Sequence, residues 1–300
     1  MKTTCTLLSL ILLFLIVLNC TPKKSEEKTD ESSAKAIDTR YNLEEAWATE
    51  AVFKTPESVI YDKERAVLYV ANVNENPWEK DGNGFISKVS TTGEIIALEW
   101  VAGMSGPKGM GIIDNILYVA DLDELVAIDI DKGEIINKTK IDGASGLNDI
   151  TIGNNQQVFI SDSNEGKIFR YQNGATSILI NDATGRPNGL LMDQNKLFVA
   201  FSEASEFVSY DPITLHKSSI ASGIGAGDGI IPTQYEGAYL VSDWNGEIFL
   251  INQNGEKQSL LNTKTENKNT ADICYLPDGN LVLVPTFFDN RVVAYSLSGM

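Results

Sequence analysis

Pro187-Asn188-Gly189-Leu190, followed by Lys196-Leu197-Phe198-Val199 and Phe207 to Tyr210, reads as three short strands separated by turns. β-Branched and aromatic residues fill the strands, and Gly, Asn and Asp mark the turns. The same order recurs on both sides of this stretch. Its first strand always opens on a polar residue: Pro56-Glu57, Pro107-Lys108, Leu147-Asn148, Pro187-Asn188, Gly227-Asp228 and Ala271-Asp272. The polar residues are 51, 40, 40, 40 and 44 positions apart. A strand-led period near forty is the mark of a β-propeller blade. The fold class is therefore all-β: a six-bladed β-propeller of four-stranded antiparallel blades. The first strand of each blade lines the central channel, so the six polar side chains are expected to form one ring at one end of it.

Second strands follow at Val67 to Val70, Ile116 to Val119, Gln157 to Ile160, Lys196 to Val199 and Ala238 to Val241. Helical spacing is absent after residue 50. The last repeat has three strands before Met300, and residues 46–53 are expected to supply its outer strand. Closure by the two termini in one blade would remove an open sheet edge. The first repeat is longer by the segment Asn72 to Gly84, between its second and third strands. That loop is expected to overhang the ring, with Trp78 and Phe85 as a wall or lid, or to be a plain surface insertion. Asp81-Gly82-Asn83-Gly84 lacks the further ligands of a calcium loop and reads as a turn.

The chain of 300 residues is 43% hydrophobic and carries a net charge of −17. That charge excludes a nucleic-acid surface, which must be basic, and adsorption to anionic lipid. Lys2 and the apolar run Leu7 to Leu18 read as a signal peptide over 1–19. Val17-Leu18-Asn19-Cys20 resembles a bacterial lipobox, which makes Cys20 the acylated first residue; an ordinary signal with an incidental cysteine is the alternative. Residues 20–45 are expected to form a disordered tether and 46–300 the propeller. The protein is then a monomer anchored by lipid in a bacterial cell envelope, not spanning the membrane. Cys5 lies in the signal, so Cys274 stands alone in the folded part and no disulfide forms there. Cys274 reads as a small buried hydrophobe, and the single histidine, His216, falls late in the fourth repeat.

Glu57, Asn148, Asn188 and Asp228 make an oxygen-rich ligand set for calcium or another hard divalent cation. Glu57, Asp228, Asp272 and Lys108 together carry a formal charge of −2, which one such ion neutralises. The alternative is polar residues that merely fill a wet channel.

Pro56-Glu57-Ser58, Leu147-Asn148-Asp149, Pro187-Asn188-Gly189-Leu190 and Gly227-Asp228-Gly229 resemble the SMP-30/gluconolactonase/LRE-like family of six-bladed propellers, over roughly residues 50–300. The resemblance implies that Glu57, Asn148, Asn188 and Asp228 hold the cation, that Asp228 also moves a proton or acts as nucleophile, and that Asp149 orients Asn148. It implies a divalent-cation-dependent lactonase or esterase acting on a small lactone or ester. Neighbouring Asp272 would help raise the Asp228 pKa. Lys108 departs from the histidine of paraoxonase-like enzymes at the second blade. It would stabilise an oxyanion or hold a substrate carboxylate or phosphate, or else pair with Glu57 or Asp272 in place of the metal. The last case gives the alternative function, a non-catalytic envelope propeller that binds a small ligand or protein at the same mouth. A scaffold with a vestigial ring is a third reading.

Overall fold

The computed structural model describes residues 41–234 and 237–299. The signal segment 1–19, Cys20 and residues 21–40 of the expected tether lie outside the described residues. Blade 1 is β2 (Pro56–Asp62), β3 (Val67–Asn72), β4 (Gly84–Ser90) and β5 (Ile95–Met104), preceded in the chain by β1 (Tyr41–Ala48). Blade 2 is β6 (Pro107–Ile113), β7 (Ile116–Asp121), β8 (Glu124–Asp129) and β9 (Glu134–Lys140). Blade 3 is β10 (Leu147–Ile152), β11 (Val158–Asp162), β12 (Lys167–Gln172) and β13 (Ala175–Ile180). Blade 4 is β14 (Pro187–Asp193), β15 (Lys196–Phe201), β16 (Glu206–Tyr210) and β17 (Lys217–Ser222). Blade 5 is β18 (Gly227–Pro232), β19 (Ala238–Asp243), β20 (Glu247–Asn252) and β21 (Lys257–Asn262). Blade 6 is β22 (Cys274–Leu276), β23 (Leu281–Pro285) and β24 (Val292–Gly299), completed by β1. Every neighbouring pair is antiparallel, and no α-helix occurs among the described residues.

Alternation along the second strands explains why six sheets close into a ring. In β3, Leu68 and Val70 pack toward blade 6, while Tyr69 and Ala71 pack toward blade 2. In β15, Leu197 and Val199 face blade 3, while Phe198 and Ala200 face blade 5. Successive strand residues point to opposite faces, so each blade is apolar on both sides and must be sandwiched. The apolar clusters sit between consecutive blades, including one that joins blade 6 to blade 1 through Leu276, Leu283, Phe53 and Val59.

Closure by β1 occurs, with a shifted strand. The pairing runs from Tyr41 opposite Gly299 to Ala48 opposite Val293. The strand therefore starts five residues inside the segment 20–45 assigned to the tether, and residues 49–53 lie beyond it. Leu43 is the reason: it is buried against Ile231, Leu240 and Leu297. Phe53 is not paired in the sheet but fills the blade 6–blade 1 cluster.

Second strands also set where the channel-lining strands begin. Asp121 accepts hydrogen bonds from the N–H groups of Ser105 and Gly106, at 3.0 and 2.7 Å. Asp162 does the same for Ser145 and Gly146, and Asp243 for Ala226. Asn72 accepts from Lys54 N. These side chains satisfy the backbone donors of the loops that lead into four of the six inner strands, and so fix the register of the residue that follows there.

Inner strands approach one another closely because glycine follows the polar residue in three blades. A Cβ on Gly189 would stand 1.6 Å from the Asp228 carbonyl oxygen, and one on Gly109 2.5 Å from the Asp149 Cα. Gly189→Ala is expected to cost at least the roughly 1–3 kcal/mol of an overpacked core, because a backbone atom and not a side chain must yield. A urea midpoint equal to wild type would contradict this contact.

Candidate functional site

The polar starts of β2, β6, β10, β14 and β18 converge on one cavity of about 660 Å³ at the channel mouth. Glu57, Lys108, Asn148, Asn188 and Asp228 all line it, and all are buried, Asp228 to 1% exposure. Asp272 is the exception to the expected ring. It does not line the cavity; its Oδ2 accepts a hydrogen bond from Ser58 Oγ at 2.8 Å, which ties blade 6 to blade 1.

The oxygens of this set are short of partners. Glu57 Oε2, Asn188 Oδ1 and Asp228 Oδ1 are buried without a hydrogen bond. Each orphaned buried acceptor costs about 1–3 kcal/mol, and three at one cavity are a concentrated deficit. Asn148 Nδ2 donates to Ser163 Oγ at 3.1 Å, so its amide is oriented with Oδ1 as the unbonded end. Ser163 Oγ in turn donates to the Pro187 carbonyl at 2.8 Å. Asp149 does not perform the orienting expected of it. Its carboxylate accepts from Ile150 N and Leu190 N, both at 2.6 Å, and so joins blades 3 and 4. Its side chain leaves on the strand face opposite to that of Asn148.

Burial dominates the electrostatics. It pushes the Glu57 carboxyl up to about 8, with Lys108 opposing and Asp272 adding to the rise. Asp228 is raised well above the usual carboxylate range, first by burial and then by the charge of Glu57, with Asp272 behind it. Asp272 itself rises to about 7 through burial, against the hydrogen bond from Ser58. Crowded buried carboxylates of this kind favour either a retained proton or a cation. Two carboxylates and two carboxamides offering free oxygens suit a hard, oxygen-seeking divalent ion. No three His, Cys, Asp or Glu side chains cluster as a metal centre among the described residues, so a fit to a cation depends on the two carboxamides.

Lys108 does not take the place of that cation by pairing. No carboxylate lies within 4.0 Å of its ammonium among the described residues, so the expected pairing with Glu57 or Asp272 is not formed. Nζ donates instead to the carbonyls of Pro77 and Gly106, at 2.9 and 3.1 Å, and lies 4.5 Å from the Trp78 ring centroid. Burial lowers its pKa, with Glu57 opposing.

The β3–β4 loop overhangs the cavity, with Glu75, Pro77 and Trp78 in its lining. Phe85 is not part of this wall; it lies in β4, buried and paired with Asn72. Asp81 Oδ1 accepts from Asn83 N, which makes the Asp-Gly-Asn-Gly run a turn. The mouth also carries an aromatic wall, formed by Phe287 and Phe288 of the late segment Pro285 to Asn290, which the sequence places at the mouth without a role, and by Trp244, which the repeats did not point to. Trp244 and Phe287 meet edge to face at 5.4 Å, and Phe287 and Phe288 at 4.9 Å. Ser163, Glu203, Trp244, Phe287 and Phe288 all sit between the second and third strands of their blades. That is the same connection as the Trp78 loop, so the topological rule applied to blade 1 would have found Ser163, Glu203 and Trp244 in blades 3 to 5 and given Phe287 and Phe288 their role. His216 is exposed on the β16–β17 turn and does not line the cavity. Burial pushes the Cys274 thiol up to about 12, which makes it a poor nucleophile.

The fold and this mouth define a six-bladed β-propeller with a buried oxygen-rich cavity. Two solved structures are similar to it: a streptogramin B lyase, 15% identical with a TM-score of 0.64, covering 86% of this chain and 98% of that one; and a catalytically inactive histidine-to-alanine variant of virginiamycin B lyase from Staphylococcus aureus with quinupristin, 12% identical with a TM-score of 0.62, covering 86% and 100%. At these identities the likeness is one of fold. No family profile matches the chain, and no curated protein does.

Proposed function

We propose that the protein is a divalent-cation-dependent hydrolase of the lactonase or esterase type, with a small lactone or ester as substrate and calcium or a similar ion as cofactor. The observation that carries this reading is the set of orphaned oxygens on Glu57, Asn188 and Asp228 at one cavity, beside the free end of Asn148. These four residues would hold the ion. When bound, it supplies a positive charge that polarises the ester carbonyl and favours the oxyanion. Asp228 takes the proton of the attacking water; burial and the charge of Glu57 raise its proton affinity, which strengthens it as a base when ionised. The water oxygen bonds to the carbonyl carbon, the carbon–oxygen ester bond breaks, and the proton passes from Asp228 to the departing alkoxide. Lys108 has one N–H beyond those given to Pro77 and Gly106, and this donor meets the oxyanion.

The same reading relates the chain to the SMP-30/gluconolactonase/LRE-like propellers through the matching Glu, Asn, Asn and Asp. It keeps the monomeric, Cys20-anchored envelope protein as its cellular form, on the strength of the sequence. A streptogramin-lyase activity is less favoured. The inactive variant of that relative replaces a histidine, whereas the single histidine here is exposed and away from the cavity. The non-catalytic binding reading draws on the aromatic wall, where Phe288 is 64% exposed at the mouth.

Glu57→Gln and Asp228→Asn are each expected to lower calcium-dependent hydrolysis of γ- and δ-lactones by at least a hundredfold, with circular dichroism unchanged. Wild-type protein loaded with calcium that opens no sugar, acyl or aryl lactone would leave the binding reading in its place.

A further inference from the structure

We propose that Arg186 is the anion-recognising residue of this cavity, and that its ligand is an amphipathic carboxylate, a negative group beside an apolar ring or chain. The inference deepens the hydrolase reading by naming a substrate class, but a binding measurement tests it separately.

Lys108 is the expected anchor for such a group, yet two of its three donors are taken by Pro77 and Gly106 and its charge lies against Trp78. Arg186 lines the cavity and is exposed. Its guanidinium makes no hydrogen bond and has no carboxylate within 4.0 Å among the described residues. Glu203 shares the rim without pairing to it, which would disfavour a second negative group on the ligand. Planar guanidinium matches carboxylate in a two-pronged hydrogen bond.

The main chain at the root of this side chain is fixed. Arg186 has φ of 61°, a left-handed conformation that residues with a side chain seldom adopt, and it directly precedes Pro187. The conformation is pinned from blade 4: Ser202 N and Oγ donate to the Arg186 carbonyl at 2.9 and 3.2 Å, and Glu203 N donates to the Gly185 carbonyl at 3.0 Å. Thr55 before Pro56 repeats this backbone geometry, with φ of 47° and its carbonyl accepting from Val73 N, so the turn belongs to the blade repeat; what marks Arg186 is an unpaired cation on the cavity lining. The same cavity is walled by Trp244, Phe287 and Phe288, which provide the apolar surface for the rest of the ligand.

Titration of the full protein with benzoate and with its neutral analogue benzamide tests the inference. Fluorescence of Trp78 and Trp244 is the readout. Wild type is expected to prefer benzoate, Arg186→Gln to lose at least tenfold in benzoate affinity, and Arg186→Lys to recover part of it. Glu203→Gln is expected to tighten benzoate. Unchanged benzoate binding in Arg186→Gln overturns the inference, as does wild-type protein that binds neither probe. Hydrolysis of 4-acetoxybenzoate against phenyl acetate gives a second readout. The ratio of their kcat/KM values should fall at least tenfold in Arg186→Gln. Benzoate binding through Arg186 without turnover of either ester or of any lactone in the calcium-loaded panel would sink the hydrolase reading and leave this one standing.

Discussion

Saturating calcium is expected to raise the melting midpoint by about 5–10 °C, and Asp228→Asn to abolish that rise while raising the midpoint of the cation-free protein. The first part follows from linkage. A ligand at a hundred times its Kd adds about 2.7 kcal/mol, and a chain of this size moves about 2–4 °C per kcal/mol. The second part follows from the cost of ionising a buried, crowded carboxyl. Asp228 has a raised pKa and an orphaned oxygen, so an amide of the same shape relieves the native state when no cation is present. A variant that lost only a packing contact would shift the cation-free midpoint downward instead.

The pH dependence has a definite sign. Glu57 titrates at about 8 in the folded protein and near its ordinary 4.5 when unfolded. Between those values the native state holds a proton that the unfolded chain has released. Stability without cation is therefore greatest below the unfolded value and falls as pH rises toward 8. The loss is greatest once pH passes the folded value, where the buried carboxyl must ionise. A bound cation removes that cost, and the calcium-induced shift should grow from pH 5 to pH 8. A chelator titration followed by calorimetry reads both effects. A midpoint unmoved by calcium, magnesium and manganese at pH 8 would remove the cation site from consideration.

Deletion of Tyr41–Ala48 is expected to eliminate cooperative unfolding altogether. The segment is the outer strand of blade 6, paired along its length with β24. It also serves two interfaces between blades. Leu43 is buried with Ile231 and Leu240 of blade 5, and Trp47 packs on the blade 6–blade 1 cluster. Without it, β24 becomes an unprotected edge, prone to pair with other chains. Leu43→Ala alone should cost about 2–5 kcal/mol, with the fold retained. Near-ultraviolet circular dichroism against temperature separates the outcomes. A truncated chain that melts in one sharp transition at the wild-type midpoint would mean that closure lies elsewhere.

Much of the fold was legible because its information is local and repeated. Strand alternation in Leu68-Tyr69-Val70, the turns at Asn, Asp and Gly, and the forty-residue period are properties of neighbouring residues. They specified strands, blades and blade number, and the regular spacing placed Glu57, Asn148, Asn188 and Asp228 in one register. Closure was predicted, but the strand was placed too late in the chain. The polar residues around Tyr41 obscured a single buried leucine, Leu43, whose partners are nearly two hundred residues away or more.

Other features depended on contacts between blades. Asp272 holds the same place in the sequence repeat as Asp228, yet β22 starts two residues later at Cys274, and Asp272 bridges to Ser58 because blade 6 meets blade 1 there. Asp149 follows Asn148, yet it bonds to Leu190 because adjacent strand residues face opposite ways. Lys108 was open to several roles until the first-blade loop presented the Pro77 carbonyl and the Trp78 ring. The sequence by itself determined six blades and which side chains head them, since periodicity is written along the chain. Only the tertiary structure decided which of those side chains share a cavity, and which oxygens and which cation lining that cavity lack partners among the described residues, because hydrogen bonding and desolvation depend on distances between residues that the chain keeps far apart.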